Sequence, residues 1–94
     1  MRIAGYIEHP ILKITIFQME GKFTVKFETG LFEIAYKFRQ EADLNSVEDI
    51  HQLVDEAFTA QVLEQMHVMR RQRAEALERL FPPRQSGDEF EEII

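Results

Sequence analysis

The sequence contains no cysteine, which excludes disulfides, thiolate metal sites and cysteine nucleophiles. A chain without disulfides suits a reducing compartment, so we expect a cytoplasmic location. Residues 1–9 carry charges and no apolar run of the kind found in a secretory signal, and no window approaches the length of a membrane span. We therefore expect neither secretion nor insertion into a membrane.

Glycine is scarce, and its four copies are isolated from one another. The sequence therefore has neither a phosphate-cradling loop nor a dinucleotide-binding fingerprint. Serine, threonine and tyrosine are present, but none stands in a nucleophile motif beside a paired histidine and acid. The sequence predicts no enzyme, no catalytic residue and no cofactor.

What is present is the composition of a small globular domain, with 94 residues of which 45% are hydrophobic and 30% charged. The net charge is −6. Residues 82–94 hold one arginine and four carboxylates, a net charge of −3, which leaves −3 for residues 1–81. We expect one α+β domain over residues 1–81, followed by an acidic C-terminal tail over 82–94 that is mobile or docks on its own domain or a neighbour's.

The first half of the sequence has the pattern of an antiparallel β-meander. Candidate turns at 9–10, 20–21 and 29–30 divide residues 3–39 into four short runs with alternating side-chain character. With two-residue loops, Gly5 pairs with Ile14, Ile16 with Val25, and Val25 with Ile34. Four-residue loops would preserve the same alternation. The pattern predicts the strand order 1-2-3-4.

All three turns place the apolar residues on one face of this sheet, which independent runs would do only by chance. The face predicts a hydrophobic core made of Ile3, Ile7, Leu12, Ile14, Ile16, Phe23, Val25, Phe27, Phe32, Ile34, Tyr36 and Phe38. A sheet with one such face needs a covering layer.

The second half supplies that layer as helices. Asn45 with Glu48, or Ser46 with Asp49, has the spacing of a capping box, which predicts a helix start near residue 47. Apolar residues then recur at three- and four-residue spacing until prolines 82 and 83 end the run. Weaker helix formers at 55–59 predict a break, with a short helix to about residue 55 and a long one from about 58 to 81.

Two groups of apolar residues are candidates for an interface. The first is a patch on the other face of strands one and two, formed by Ala4, Tyr6, Phe17 and Met19. The second lies in the tail at helical spacing and comprises Phe90, Ile93 and Ile94. The open edges of the meander are a third means of association. We therefore expect a small protein–protein interaction module that is a homodimer or binds another protein.

An alternative function is nucleic-acid or anion binding by the basic cluster on the long helix, Arg70, Arg71 and Arg73. The acidic net charge and the lack of interleaved aromatic residues weigh against nucleic acid.

A weaker alternative is a metal site at two Glu-x-x-His pairs, namely Glu48 with His51 and Glu64 with His67. The surface of a solvated helix explains these four residues more simply, so we expect no metal.

Overall fold

A computed structural model describes residues 1–81 and shows an α+β fold. Its elements are β1 (Arg2–Ile7), β2 (Lys13–Met19), β3 (Lys22–Glu28), β4 (Glu33–Arg39), α1 (Val47–Leu53) and α2 (Glu56–Leu80). The strands form one antiparallel sheet in the order β1-β2-β3-β4, which confirms the predicted meander. The chain divides into two compact units, Met1–Glu64 and a second that begins at Gln65. A single domain over residues 1–81 therefore stays a prediction.

The central hairpin has the predicted register. Ile16 pairs with Val25, and Met19 pairs with Lys22 across a two-residue turn. Gly21 occupies this turn with a φ of 69°, a left-handed conformation that glycine adopts without the steric cost borne by other residues.

The β3–β4 pairing differs from the two-residue prediction by two positions, because a four-residue loop connects these strands. Val25 pairs with Tyr36, and Glu28 pairs with Glu33. Within the loop, the Thr29 N–H donates to the carbonyl oxygen of Phe32 over 2.9 Å. The alternation of faces is preserved, as expected for a loop two residues longer.

In the β1–β2 pairing, the prediction places one residue on the wrong face of the sheet. Gly5 pairs with Ile16, but a β-bulge at Ala4 shifts the register so that Ile3 pairs with Phe17. Because a bulge adds one residue to one strand, Ile3 turns to the face opposite the core. The prediction of Ile3 as a core residue is therefore wrong, and its side chain is 53% exposed.

The loop before β2 is held by a histidine. The Nδ1 atom of His9 accepts hydrogen bonds from the backbone N–H groups of Ile11 and Leu12, each over 3.1 Å. This local side-chain cap satisfies two backbone donors that have no strand partner at this turn.

The core lies over β2 and β3. Its predicted members that are buried are Leu12, Ile14, Ile16, Phe23, Val25 and Phe27. Helix α1 adds Ile50, and α2 contributes Val62 and the ring of Phe58, which stacks on Phe27 with a centroid distance of 5.7 Å. Full burial of one such side chain contributes about 1.5–3 kcal/mol.

Residues toward the outer strands are less covered than predicted. Ile7, Phe32, Ile34 and Phe38 are only half-buried. Tyr36 is 37% exposed, which corrects its assignment to the buried core, although its ring lies 5.2 Å from that of Phe58. The reason is its position on the edge strand β4, which has a neighbouring strand on one side only.

At the start of each helix, the carboxylate of an aspartate accepts hydrogen bonds from backbone N–H groups. The capping box of α1 is Ser46 with Asp49, as one of the two predicted alternatives states. The N–H groups of Asn45 and Ser46 donate to Oδ2 of Asp49 over 3.0 and 3.2 Å. The hydrogen bond from Asn45, with that of Ser46, lowers the pKa of the Asp49 carboxyl below its ordinary value.

Asp55 begins α2 in a similar way, because its Oδ1 accepts a hydrogen bond from the Phe58 N–H over 2.9 Å. The break between α1 and α2 therefore contains the N-terminal cap of α2. It lies close to the predicted position. Neither helix in the described part of the chain is both long and apolar enough to cross a bilayer.

Candidate interaction surface

In the unit Met1–Glu64, the two faces of the sheet differ in how much of their surface is buried. One packs against the helices, and most side chains of the other are exposed. We call the second one the outer face. The register arranges it in four rows across the strands, namely Lys13, Glu28 and Glu33; Tyr6, Thr15, Lys26 and Ala35; Ile3, Phe17, Thr24 and Lys37; and Met19, Lys22 and Arg39.

The outer face is apolar on β1 and β2. Ile3, Tyr6 and Met19 are 53%, 55% and 49% exposed, and Phe17 lies half-buried between them. Ala4, at the bulge, is also half-buried. We call these five residues the outer patch. Exposed apolar residues that adjoin one another, unlike single ones, are typical of an interaction site.

The outer face is basic on β3 and β4. Three of its rows hold Lys22, Lys26, Lys37 and Arg39 and no carboxylate. Both carboxylates of the face are in the remaining row, where Glu28 and Glu33 oppose each other. These four cations therefore form a positive region on a chain whose net charge is −6.

Lys26 joins the apolar and basic halves. Its Nζ lies 5.4 Å from the centroid of the Phe17 ring and 3.7 Å from Oε2 of Glu28. A cation above an exposed aromatic ring contributes about 0.5–1 kcal/mol, and a surface ion pair contributes about 0–1 kcal/mol. Thr15, the cross-strand partner of Lys26, is only 3% exposed. The middle of the outer face is therefore packed by side chains of the sheet itself.

An open depression lies beside the β2–β3 turn, at one end of the sheet. Its lining residues are Met1, Arg2, Gln18, Met19, Glu20, Gly21, Lys22 and Gln40. Nη2 of Arg2 donates to Oε1 of Gln18 over 3.3 Å, and the Gln40 N–H donates to the Gly21 carbonyl oxygen over 2.9 Å. The depression thus brings apolar and cationic side chains together, with Glu20 as its carboxylate.

The structure brings together the four predicted sheet residues, Ala4, Tyr6, Phe17 and Met19, and adds Ile3 to them. The bulge that moves Ile3 leaves no signal in the sequence, because Ile3 fits an apolar alternation on either face. The predicted residues Phe90, Ile93 and Ile94 lie outside the described residues.

The arginine cluster lies in the second unit, where all three residues are exposed. At about 100° per residue, Arg70 and Arg73 lie about 60° apart around α2, whereas Arg71 lies about 160° from Arg73. The three arginine side chains therefore project from different sides of the helix and do not share one face. Anion binding at this cluster stays a prediction.

Of the four candidate metal ligands, each is exposed on a helix. Within residues 1–81, no three histidine, aspartate or glutamate side chains lie close enough together to hold a metal ion. The pairs Glu48 with His51 and Glu64 with His67 therefore acquire no further ligand in the part of the chain that the structure describes.

No protein-family model, curated protein or solved structure matches this chain. The basic region of the outer face was missed by sequence reasoning, although its signal was present in the alternation Lys22-x-Thr24-x-Lys26. The two-residue loop pairs Lys26 with Glu33 and so predicts a neutralised cation. The observed four-residue loop instead places Ala35 opposite Lys26 and Glu33 opposite Glu28, and Lys26 pairs with Glu28 of its own strand.

Proposed function

We propose that this chain is a protein–protein interaction module without catalytic activity that forms a homodimer through the outer face of its sheet. The observation that carries the proposal is the adjacency of the outer patch to Lys22, Lys26, Lys37 and Arg39, of which Lys26 is paired with Glu28 of the neighbouring row. Burying the patch on association supplies a hydrophobic driving force, and the cations select the partner's charge.

The experiment is sedimentation velocity of the full chain at concentrations up to tens of micromolar. We expect a concentration-dependent dimer. Met19→Asp and Tyr6→Asp place a carboxylate in the outer patch and should weaken the dimer at least about tenfold, because an interface core tolerates an unpaired charge poorly. Both side chains are about half exposed, so the fold should survive.

The matched control is Leu31→Asp, which introduces the same carboxylate at an apolar residue 69% exposed in the β3–β4 loop, outside the outer patch. It should leave the dimer unchanged. A wild-type chain that stays monomeric, or a dimer that Met19→Asp and Leu31→Asp weaken equally, would contradict the proposal.

A gel-shift assay with single-stranded RNA separates this function from nucleic-acid binding. Electrostatic binding to phosphates is strongest at low salt, so we expect no shift at about 0.05 M NaCl. A shift that Lys37→Ala abolishes would assign the outer face to nucleic acid and overturn the homodimer interface proposed here.

A further inference from the structure

The charge of the outer face limits how two copies can associate through it. A symmetric dimer in which the basic halves of two outer faces meet would bring Lys22, Lys26, Lys37 and Arg39 of each copy together. Like charges brought face to face cost free energy, most of all where water is excluded. An acidic segment of the second copy avoids this cost and adds attraction to the four cations.

The chain contains one segment with the complementary composition. Residues 88–94 read Asp-Glu-Phe-Glu-Glu-Ile-Ile, with four carboxylates and three large apolar side chains. The three rows of the outer face described above offer four cations beside the outer patch. Both the charge and the apolar content of the segment match this part of the face.

We propose that residues 88–94 of a second copy bind the outer face, with the carboxylates on the basic half and Phe90, Ile93 and Ile94 on the outer patch. The inference rests on the homodimer proposed above and names its occupant. Reciprocal exchange between two copies forms two identical contacts, which is the closed arrangement typical of homodimers. It also doubles the buried area, toward the about 1,200–2,000 Å² typical of stable interfaces.

The test is a charge reversal in two full-length variants, Lys37→Glu with Arg39→Glu, and Glu91→Lys with Glu92→Lys. In the first variant the three rows carry two lysines and two glutamates, and in the second residues 88–94 carry two carboxylates and two lysines. Each variant alone therefore lacks the net attraction between face and segment. Each variant alone should dimerise at least about tenfold more weakly than wild type at about 0.1 M NaCl, where the Debye length is about 10 Å.

An equimolar mixture of the two variants should restore a dimer with a Kd within about threefold of wild type. In the mixed dimer one contact keeps the wild-type charges, and in the other the new glutamates of the face meet the new lysines of the segment. Docking of a segment on its own chain restores nothing on mixing. Recovery in the mixture is therefore specific to exchange between copies.

Matched charge controls are Arg71→Glu with Arg73→Glu, and Glu75→Lys with Glu78→Lys, which make the same net changes at exposed positions of α2. Neither control should weaken the dimer as the test variants do.

An apolar control compares Phe90→Ser, which should weaken the dimer, with Phe81→Ser, which should not. Far-ultraviolet circular dichroism checks that every variant is folded.

The two proposals fail in different ways. A wild-type chain that is monomeric overturns the homodimer and its occupant together. A wild-type dimer that Met19→Asp disrupts, but that the variants at residues 91 and 92 leave unchanged, keeps the homodimer and overturns residues 88–94 as the occupant. Two weakened variants whose mixture does not recover also overturn the exchange.

Discussion

At the scale of single residues, the bulge at Ala4 has a measurable consequence for two isoleucines. Ile16 is fully buried, whereas Ile3 is 53% exposed. Ile16→Ala should lower the free energy of unfolding by about 2–5 kcal/mol, since it leaves a cavity in the core. Ile3→Ala should lower it by less than about 0.5 kcal/mol. Urea unfolding of both variants checks this, and equal losses would contradict the bulge.

The two glycines of the hairpin loops should also respond differently. Gly21 has a φ of 69°, so Gly21→Ala should destabilise the protein by about 1–2 kcal/mol through backbone strain. Gly30 has open space around it and no such φ, so Gly30→Ala should be neutral or stabilise by up to about 1 kcal/mol. Thermal unfolding measures both. A Gly21→Ala variant as stable as Gly30→Ala would argue against the left-handed turn.

At the scale of elements, the first turn of α1 should depend on pH. Hydrogen bonds from Asn45 and Ser46 lower the pKa of Asp49 in the folded chain. The stabilisation from its carboxylate is therefore complete above the pKa in the unfolded chain and is lost as pH falls through the folded one. Asp49→Asn should be less stable than wild type at neutral pH, and the difference should shrink below about pH 4.

Urea unfolding at a series of pH values measures that difference. Glu48→Gln is the control, since it removes a neighbouring carboxylate from the same turn but leaves the capping box intact. A stability difference between wild type and Asp49→Asn that is constant down to about pH 3 would show that the carboxylate has no part in the cap.

At the scale of the whole molecule, stability should differ between the two units. In the first unit, Thr59 and Val62 of α2 are buried. In the second unit, every residue of 70–80 is exposed. An isolated helical segment this short is marginal in water, because helices in proteins gain most of their stability from packing. We expect backbone amides of 70–80 to exchange hydrogen faster than those of 56–64. Native-state exchange measures this, and equal protection would contradict it.

The registers show how far the sequence can predict this fold. The β2–β3 pairing was predicted residue by residue, because the Glu20-Gly21 turn joins two strands that continue to its edge. The β3–β4 pairing was not, because Phe32 continues the alternating pattern of Ile34 and Tyr36 although it belongs to the loop. A loop longer by two residues keeps every side chain on its face, so the alternation cannot distinguish the two lengths.

The sequence by itself determined the strand order, the central register, the start of α1 near residue 47 and most of the buried core, because these follow from local periodicity and turn chemistry. Only the tertiary structure decided that Ile3 joins the outer patch and that Glu28 and Glu33 share one row of the outer face. Both depend on which residues of different strands lie opposite each other. A bulge and a loop length set that alignment, and neither changes the hydrophobic pattern along the chain.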